Sequence, residues 1–113
     1  LHRRRHSFPT RRSSDLSDGP FVYCGFRPAV VWVKCTSTTG DWFIWDCARE
    51  TANPEAAEIL ADTTAAEGSG ADIDITGTGF KIRNTTAGYN SSGASYIFAA
   101  FADMPLQTPA NAR

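Results

Sequence analysis

The sequence predicts an all-β domain: an antiparallel β-sandwich of jelly-roll or lectin-like type, truncated at its N-terminus, with at most one short helix. Three observations carry this expectation. Short runs rich in β-branched and aromatic residues recur along the chain, turn chemistry separates most of them, and only one stretch, residues 55–61, has strong helix-start signals. A chain of 113 residues has room for one domain and one modest core. Its 42% hydrophobic and 12% aromatic content is that of a folded domain rather than a disordered chain.

The amino-terminal segment stands apart. Arg3, Arg4, Arg5, Arg11 and Arg12 crowd the first 16 residues against one acid, Asp15, so the net charge of -1 conceals six bases against eleven acids over residues 17–113. A basic arm ordinarily points to nucleic acid or membrane. Here the run HSFPTRRSSD from His6 to Asp15 has a nucleotide-level origin, because a widely used short-read sequencing adapter strand translates in register to these ten residues and permits Leu16 next. Residues 1–16 are therefore expected to be artefactual or disordered and to add nothing to the fold, in a metagenomic fragment that lacks its upstream sequence. Neither a nucleic-acid partner nor membrane insertion is expected.

Setting that segment aside also removes His2 and His6, the only histidines, and with them any Ser-His-Asp, Cys-His or imidazole–zinc site. Cys24, Cys35 and Cys47 are odd in number and lack C-x-x-C spacing, so they read as free, mostly buried thiols. No signal peptide is visible and no apolar run approaches a membrane span.

From residue 17 on, the elements follow in order. Residues 21–24 are a short apolar run before the turn-like Gly25-Phe26-Arg27-Pro28. Residues 29–35 (AVVWVKC) form a strand apolar on both faces, residues 36–40 (TSTTG) turn, and residues 41–46 (DWFIWD) return as a second strand. This hairpin would bring Trp32 near Trp45, since aromatic cross-strand pairs favour such a register. Asn53-Pro54 before Glu55 supplies a cap, a proline at the first helical position and an early acid, which argues for a helix of about two turns over residues 55–61, with a strand edge as the alternative. Thr64 to Glu67 has capping-box spacing for a single helical turn. Residues 72–75 and 80–83 alternate around a Thr76-Gly-Thr-Gly79 turn, a second hairpin burying Ile73, Ile75, Phe80 and Ile82. A polar loop over residues 84–95 leads into residues 96–101 (YIFAAF), apolar on both faces and so a central strand. The domain thus spans residues 17–104, with an extended tail over residues 105–113.

The order of these motifs is itself informative. DGPFVYCGFRPA from Asp18 leads into VVWVK, followed by GDWFIWD from Gly40, Ala48-Arg49, AAEG from Ala65, and Gly79-Phe-Lys-Ile-Arg83. Tyr89-Asn-x-Ser-Gly and Tyr96-Ile-Phe-Ala-Ala-Phe-Ala102 complete the set. The series resembles a β-rich domain of unknown function common in phage and prophage tail or virion proteins, often beside lectin-like sandwiches. The resemblance implies a virion location, other tail subunits and further copies of the chain as partners, and a strand upstream of Ser17. It supplies no catalytic residues.

Candidate chemistry is sparse. Asp46, Glu67, Asp72 and Asp74 are the pool for a glycosidase pair, but Asp at strand ends is commonly a turn or cap residue. Asp46 is expected to pair with Arg49 at the exit of the first hairpin. Glu67, Asp72 and Asp74 lack any calcium-loop spacing, so no metal and no cofactor are expected. Of Trp32, Trp42 and Trp45, core packing accounts for at least two. The segment around Tyr89, Asn90, Ser92 and Tyr96 has the composition of an adaptable binding loop and is the candidate contact for a host-surface glycan, with a plain inter-strand loop as the alternative. These features favour a non-enzymatic structural or adhesive module of a phage tail fibre or other virion protein, contributing to host-surface recognition. A carbohydrate-binding module of a phage or bacterial surface protein is the alternative, and a depolymerase fragment the third choice.

Overall fold

Alternating apolar residues let a strand present one buried row to a shared interior, and most of the expected runs do so. A computed structural model describes residues 2–7, by their backbone, and residues 19–103. The elements are β1 (His2–Ser7), β2 (Phe21–Tyr23), β3 (Pro28–Cys35), β4 (Trp42–Asp46), β5 (Ile59–Leu60), β6 (Ile73–Ile75), β7 (Gly79–Ile82), α1 (Ala87–Asn90) and β8 (Ser95–Ala102). They build two antiparallel sheets, one in the order β1-β8-β3-β4-β5 and the other β2-β7-β6. The fold is the all-β sandwich that the sequence predicts.

The core lies between the sheets. Val31 and Val33 of β3, Phe43 and Trp45 of β4, and Phe98 and Ala100 of β8 meet Val22, Ile73, Ile75, Phe80 and Ile82 from the smaller sheet. Phe80 and Phe98 touch edge-to-face across the interior, with ring centroids 5.6 Å apart. The second hairpin buries Ile73, Ile75, Phe80 and Ile82 as expected. At Gly79 the chain comes so close to β2 that an added Cβ would lie 2.0 Å from the Val22 carbonyl oxygen, so the turn must end on glycine. β8 lies between β1 and β3, the central position expected of a strand apolar on both faces.

Four expectations are corrected. Trp32 does not approach Trp45 on one face: Trp45 pairs with Val31 and points inward, whereas Trp32 pairs with Ile44 and is exposed. Residues 55–61 follow the strand-edge alternative at Ile59–Leu60 rather than the helix, because tertiary partners take up the groups a helix would use. The Asn53 side chain bonds the backbone N–H and carbonyl of Ile75 at 2.9 and 2.8 Å, and Glu55 bridges Ile73. Glu50 accepts the N–H groups of Ala56 and Ala57, and Ile59–Leu60 then pairs with β4. Residues 64–67 form no helical turn either. The short helix instead falls at Ala87–Asn90, inside the expected polar loop.

The fourth correction concerns the amino terminus. His2–Ser7 pairs antiparallel along Ser95 to Ala100 of β8, so this part of the first 16 residues does join the fold. A backbone ladder is largely indifferent to side-chain identity, and the open edge of an apolar strand is a template for an extended segment. The rest of the adapter-like stretch, and the tail expected over residues 105–113, lie outside the described residues. Among the described residues no helix is long and apolar enough to cross a membrane.

Candidate functional site

Strand alternation sends one side-chain row of β3, β4 and β8 into the core and the other to the outer face of the larger sheet. Because those strands are apolar on both faces, that outer face is apolar too. The register places Ala99, Trp32, Ile44 and Ile59 side by side across four strands. Phe101 and Val30 form the row on one side, and Ile97, Lys34 and Trp42 the row on the other. Trp32, Ile59 and Phe101 are 36%, 36% and 40% exposed. Trp32 and Trp42 pack edge-to-face at 6.3 Å, which fixes both indoles. Core packing therefore accounts for one tryptophan, Trp45, rather than two. The parity of the charges carries the signal for this: Lys34 shares a face with Trp32, and Asp46 shares a face with Trp42 and Ile44, so that face meets solvent.

At one corner of this face an open cleft of about 670 Å³ lies beside the β3–β4 turn, bounded by Trp42, Ile97, Lys34, Cys35 and the turn over residues 36–39. The Lys34 ammonium donates to the carbonyl oxygens of Gly40 at 2.8 Å and Cys35 at 3.1 Å. The turn is tied to β8, since the Thr36 hydroxyl donates to the Ser95 carbonyl and the Ser95 N–H donates to Ser37, both at 3.1 Å. Burial pushes the Cys35 thiol up, but hydrogen bonds with Thr38 and Ser37 outweigh it and bring the thiol down to about 7. Cys24, Cys35 and Cys47 are all free thiols.

The expected binding residues are mostly turned inward, although the loop around them reaches the surface at residues 85–87 and 92–93. Tyr89, Asn90 and Tyr96 are 1%, 2% and 1% exposed, so of the four residues chosen from sequence only Ser92 faces solvent. The Tyr89 ring packs edge-to-face on both Phe43 and Trp45, at 4.8 and 5.0 Å. The close passage of the chain over Phe43 requires Gly88, where a Cβ would meet the Phe43 ring at 2.5 Å. Asn90 donates to the Asn84 carbonyl at 2.5 Å, and the Tyr96 hydroxyl accepts from the Ser91 N–H at 2.7 Å while donating to the Ala87 carbonyl at 3.1 Å. The Tyr, Asn and Ser composition serves internal hydrogen bonding around α1, which sequence alone does not distinguish from a recognition loop.

The acids are also committed elsewhere. Asp72, 3% exposed, accepts from Trp45 Nε1 at 3.2 Å, the Tyr89 hydroxyl at 2.8 Å and Asn84 Nδ2 at 2.6 Å. Asp46 pairs with Arg49 at 2.5 Å, as expected, and Arg49 also pairs with Glu67 and donates to the Ala57 carbonyl at 2.6 Å. That trio joins the exit of β4 to the segment before β6. Asp74 lies 3.4 Å from Arg83. Glu55 is buried, and its burial, with Glu50 and then Asp46 nearby, raises its carboxyl to about 7. None of these acids lines the cleft, and among the described residues no group of three or more His, Cys, Asp or Glu comes together to hold a metal.

Residues 7–105 match the family model described as "Domain of unknown function (DUF7483)". No curated protein and no solved structure matches the chain. With nearly the whole β-sandwich inside the matched span, the chain belongs to the DUF7483 family of domains of unknown function.

Proposed function

We propose that this domain is a non-catalytic structural or adhesive module, of the kind built into a phage tail fibre or other virion protein, that docks through the outer face of its larger sheet. The observation that carries the reading is the exposure of Trp32, Phe101 and Ile59 together on that face. A contiguous apolar face turned to solvent marks a contact surface rather than a scatter of surface residues. Other virion subunits and further copies of the chain are partners of fitting chemistry, and the order of sequence motifs supports the phage context. Commitment of Asp46, Glu67, Asp72 and Asp74 to ion pairs and a buried network speaks for a non-catalytic role. Sedimentation of the chain and of a Trp32→Ser, Phe101→Ser variant tests this. Concentration-dependent association, or capture of neighbouring virion subunits, should be lost in the variant. Equal behaviour of both proteins would sink the docking role of this face.

A carbohydrate-binding module is the second reading, and the cleft beside Trp42 favours it. An indole next to hydroxyl side chains suits a pyranose, whose C–H face stacks while its hydroxyl groups hydrogen-bond. Screening the chain against an array of bacterial surface glycans tests that reading directly.

A further inference from the structure

Over residues 17–113 acids outnumber bases by eleven to six, yet the lining of the β3–β4 cleft contains a cation, Lys34, and no carboxylate. We propose that this cleft binds an acidic pyranose, a uronate unit of a polysaccharide, with the ring's C–H face on Trp42 and its carboxylate on Lys34. The inference rests on the carbohydrate-binding reading and narrows it to a charge class.

Three features of the cleft support this. Lys34 lies between Trp42 and Ile97 in the strand register, and all three residues line the cleft. Two of its three N–H donors are held by the Gly40 and Cys35 carbonyls, which fixes the head group, and the third has no partner among the described residues. A neutral ligand covering the cleft would desolvate that charge without replacing the lost water, whereas a carboxylate compensates it.

The stacking surface and the rim are also organised in advance. Trp42 is braced by Trp32, and the turn over residues 36–39 is anchored to Ser95, so little ordering remains for binding to impose. Thr39 has no hydrogen-bond partner among the described residues and can serve a sugar hydroxyl at the rim. The volume of about 670 Å³ lies within the range of small-ligand sites, and its openness along the sheet suits one unit of a longer chain.

The test uses the full chain with two probes, polygalacturonate and the same polymer fully methyl-esterified. Tryptophan fluorescence and calorimetry report binding at pH 6, below the value of about 7 to which the Cys35 thiol is brought. Polygalacturonate should bind, and Lys34→Met or esterification should each weaken binding by about tenfold or more. Trp42→Ala should weaken binding of both polymers. If that variant does not fold, the half-buried Lys34 position and the esterified probe carry the test alone. Equal affinity for both polymers, unchanged by Lys34→Met, would overturn the acidic-sugar inference and leave the carbohydrate reading standing. Binding of neither polymer overturns the inference, and silence across the glycan array overturns the reading beneath it.

Discussion

The phenol of Tyr89 donates a 2.8 Å hydrogen bond to the carboxylate of Asp72, and both groups are buried between the sheets. With Trp45 Nε1 and Asn84 Nδ2 donating to the same carboxylate, the segment after β7 is fastened to β4 and to the start of β6. Tyr89→Phe should therefore lower stability by about 1–2 kcal/mol, because it removes one donor from a buried acceptor. Tyr89→Ala removes the ring from Phe43 and Trp45 as well, and should cost about 3–5 kcal/mol. Urea unfolding of the two variants checks both figures. A stable Tyr89→Ala protein with impaired ligand binding would restore the surface-loop role.

Glu55 gives the fold a defined pH response. Its carboxyl is raised to about 7 in the folded state by burial and by Glu50 and Asp46, against an ordinary value of 4.5. The folded state thus holds a proton that the unfolded chain has released. Stability from this group is fully present below pH 4.5 and is lost as pH rises through about 7, a fall on the order of 3 kcal/mol. Chemical denaturation from pH 4 to pH 8 should show this decline superimposed on other titrations. Glu55→Gln should flatten it and raise stability at pH 8. An unchanged pH profile in that variant would remove Glu55 as the source.

Much of the fold was legible because strand patterning is local. Ile73, Ile75, Phe80 and Ile82 alternate around a glycine-rich turn, and nothing distant is needed to place them. The first hairpin was equally clear in its strands but not in its faces. In a strand apolar on both sides, only the parity of Lys34 and Asp46 separates the solvent face from the core face. The helix signals at Asn53-Pro54 were outweighed by contacts to Ile75 and Ile73, which no local window contains. The candidate site was the least legible part. Tyr89 and Tyr96 have the same composition signature whether their hydroxyls meet a ligand or Asp72 and Ala87. The cleft takes residues from β3, the following turn, β4 and a residue of β8 far along the chain, and only the sheet brings Ile97 beside Lys34.

The three thiols should separate by access. Cys24 and Cys35 are buried, whereas Cys47 is half-buried beside Arg27, 3.6 Å from its guanidinium. A thiol reagent under native, non-reducing conditions should therefore label Cys47 first. Unfolding should bring the total to three, since all three are free. A denatured total of one would reveal a disulfide and contradict this arrangement.

The last prediction concerns β1. His2–Ser7 covers one edge of β8, while β3 holds the other edge along most of its length. Each ladder hydrogen bond contributes about 0.5–1.5 kcal/mol net, but ordering each added residue costs about 1–2 kcal/mol of backbone entropy. The two nearly cancel, so deleting residues 1–16 should move the thermal midpoint by only a few degrees. The larger effect should be on association. Without β1, the backbone groups on the free edge of β8 are open to another chain, and an uncovered apolar edge strand is prone to pair. Calorimetry and light scattering of the deleted protein across a concentration series separate these effects. A small midpoint change with concentration-dependent assembly supports an edge that needs a strand but is indifferent to which one. A loss of more than about 10 °C would instead show that β1 contributes specific packing, since shifts of that size require more than about 1 kcal/mol in a domain of this length.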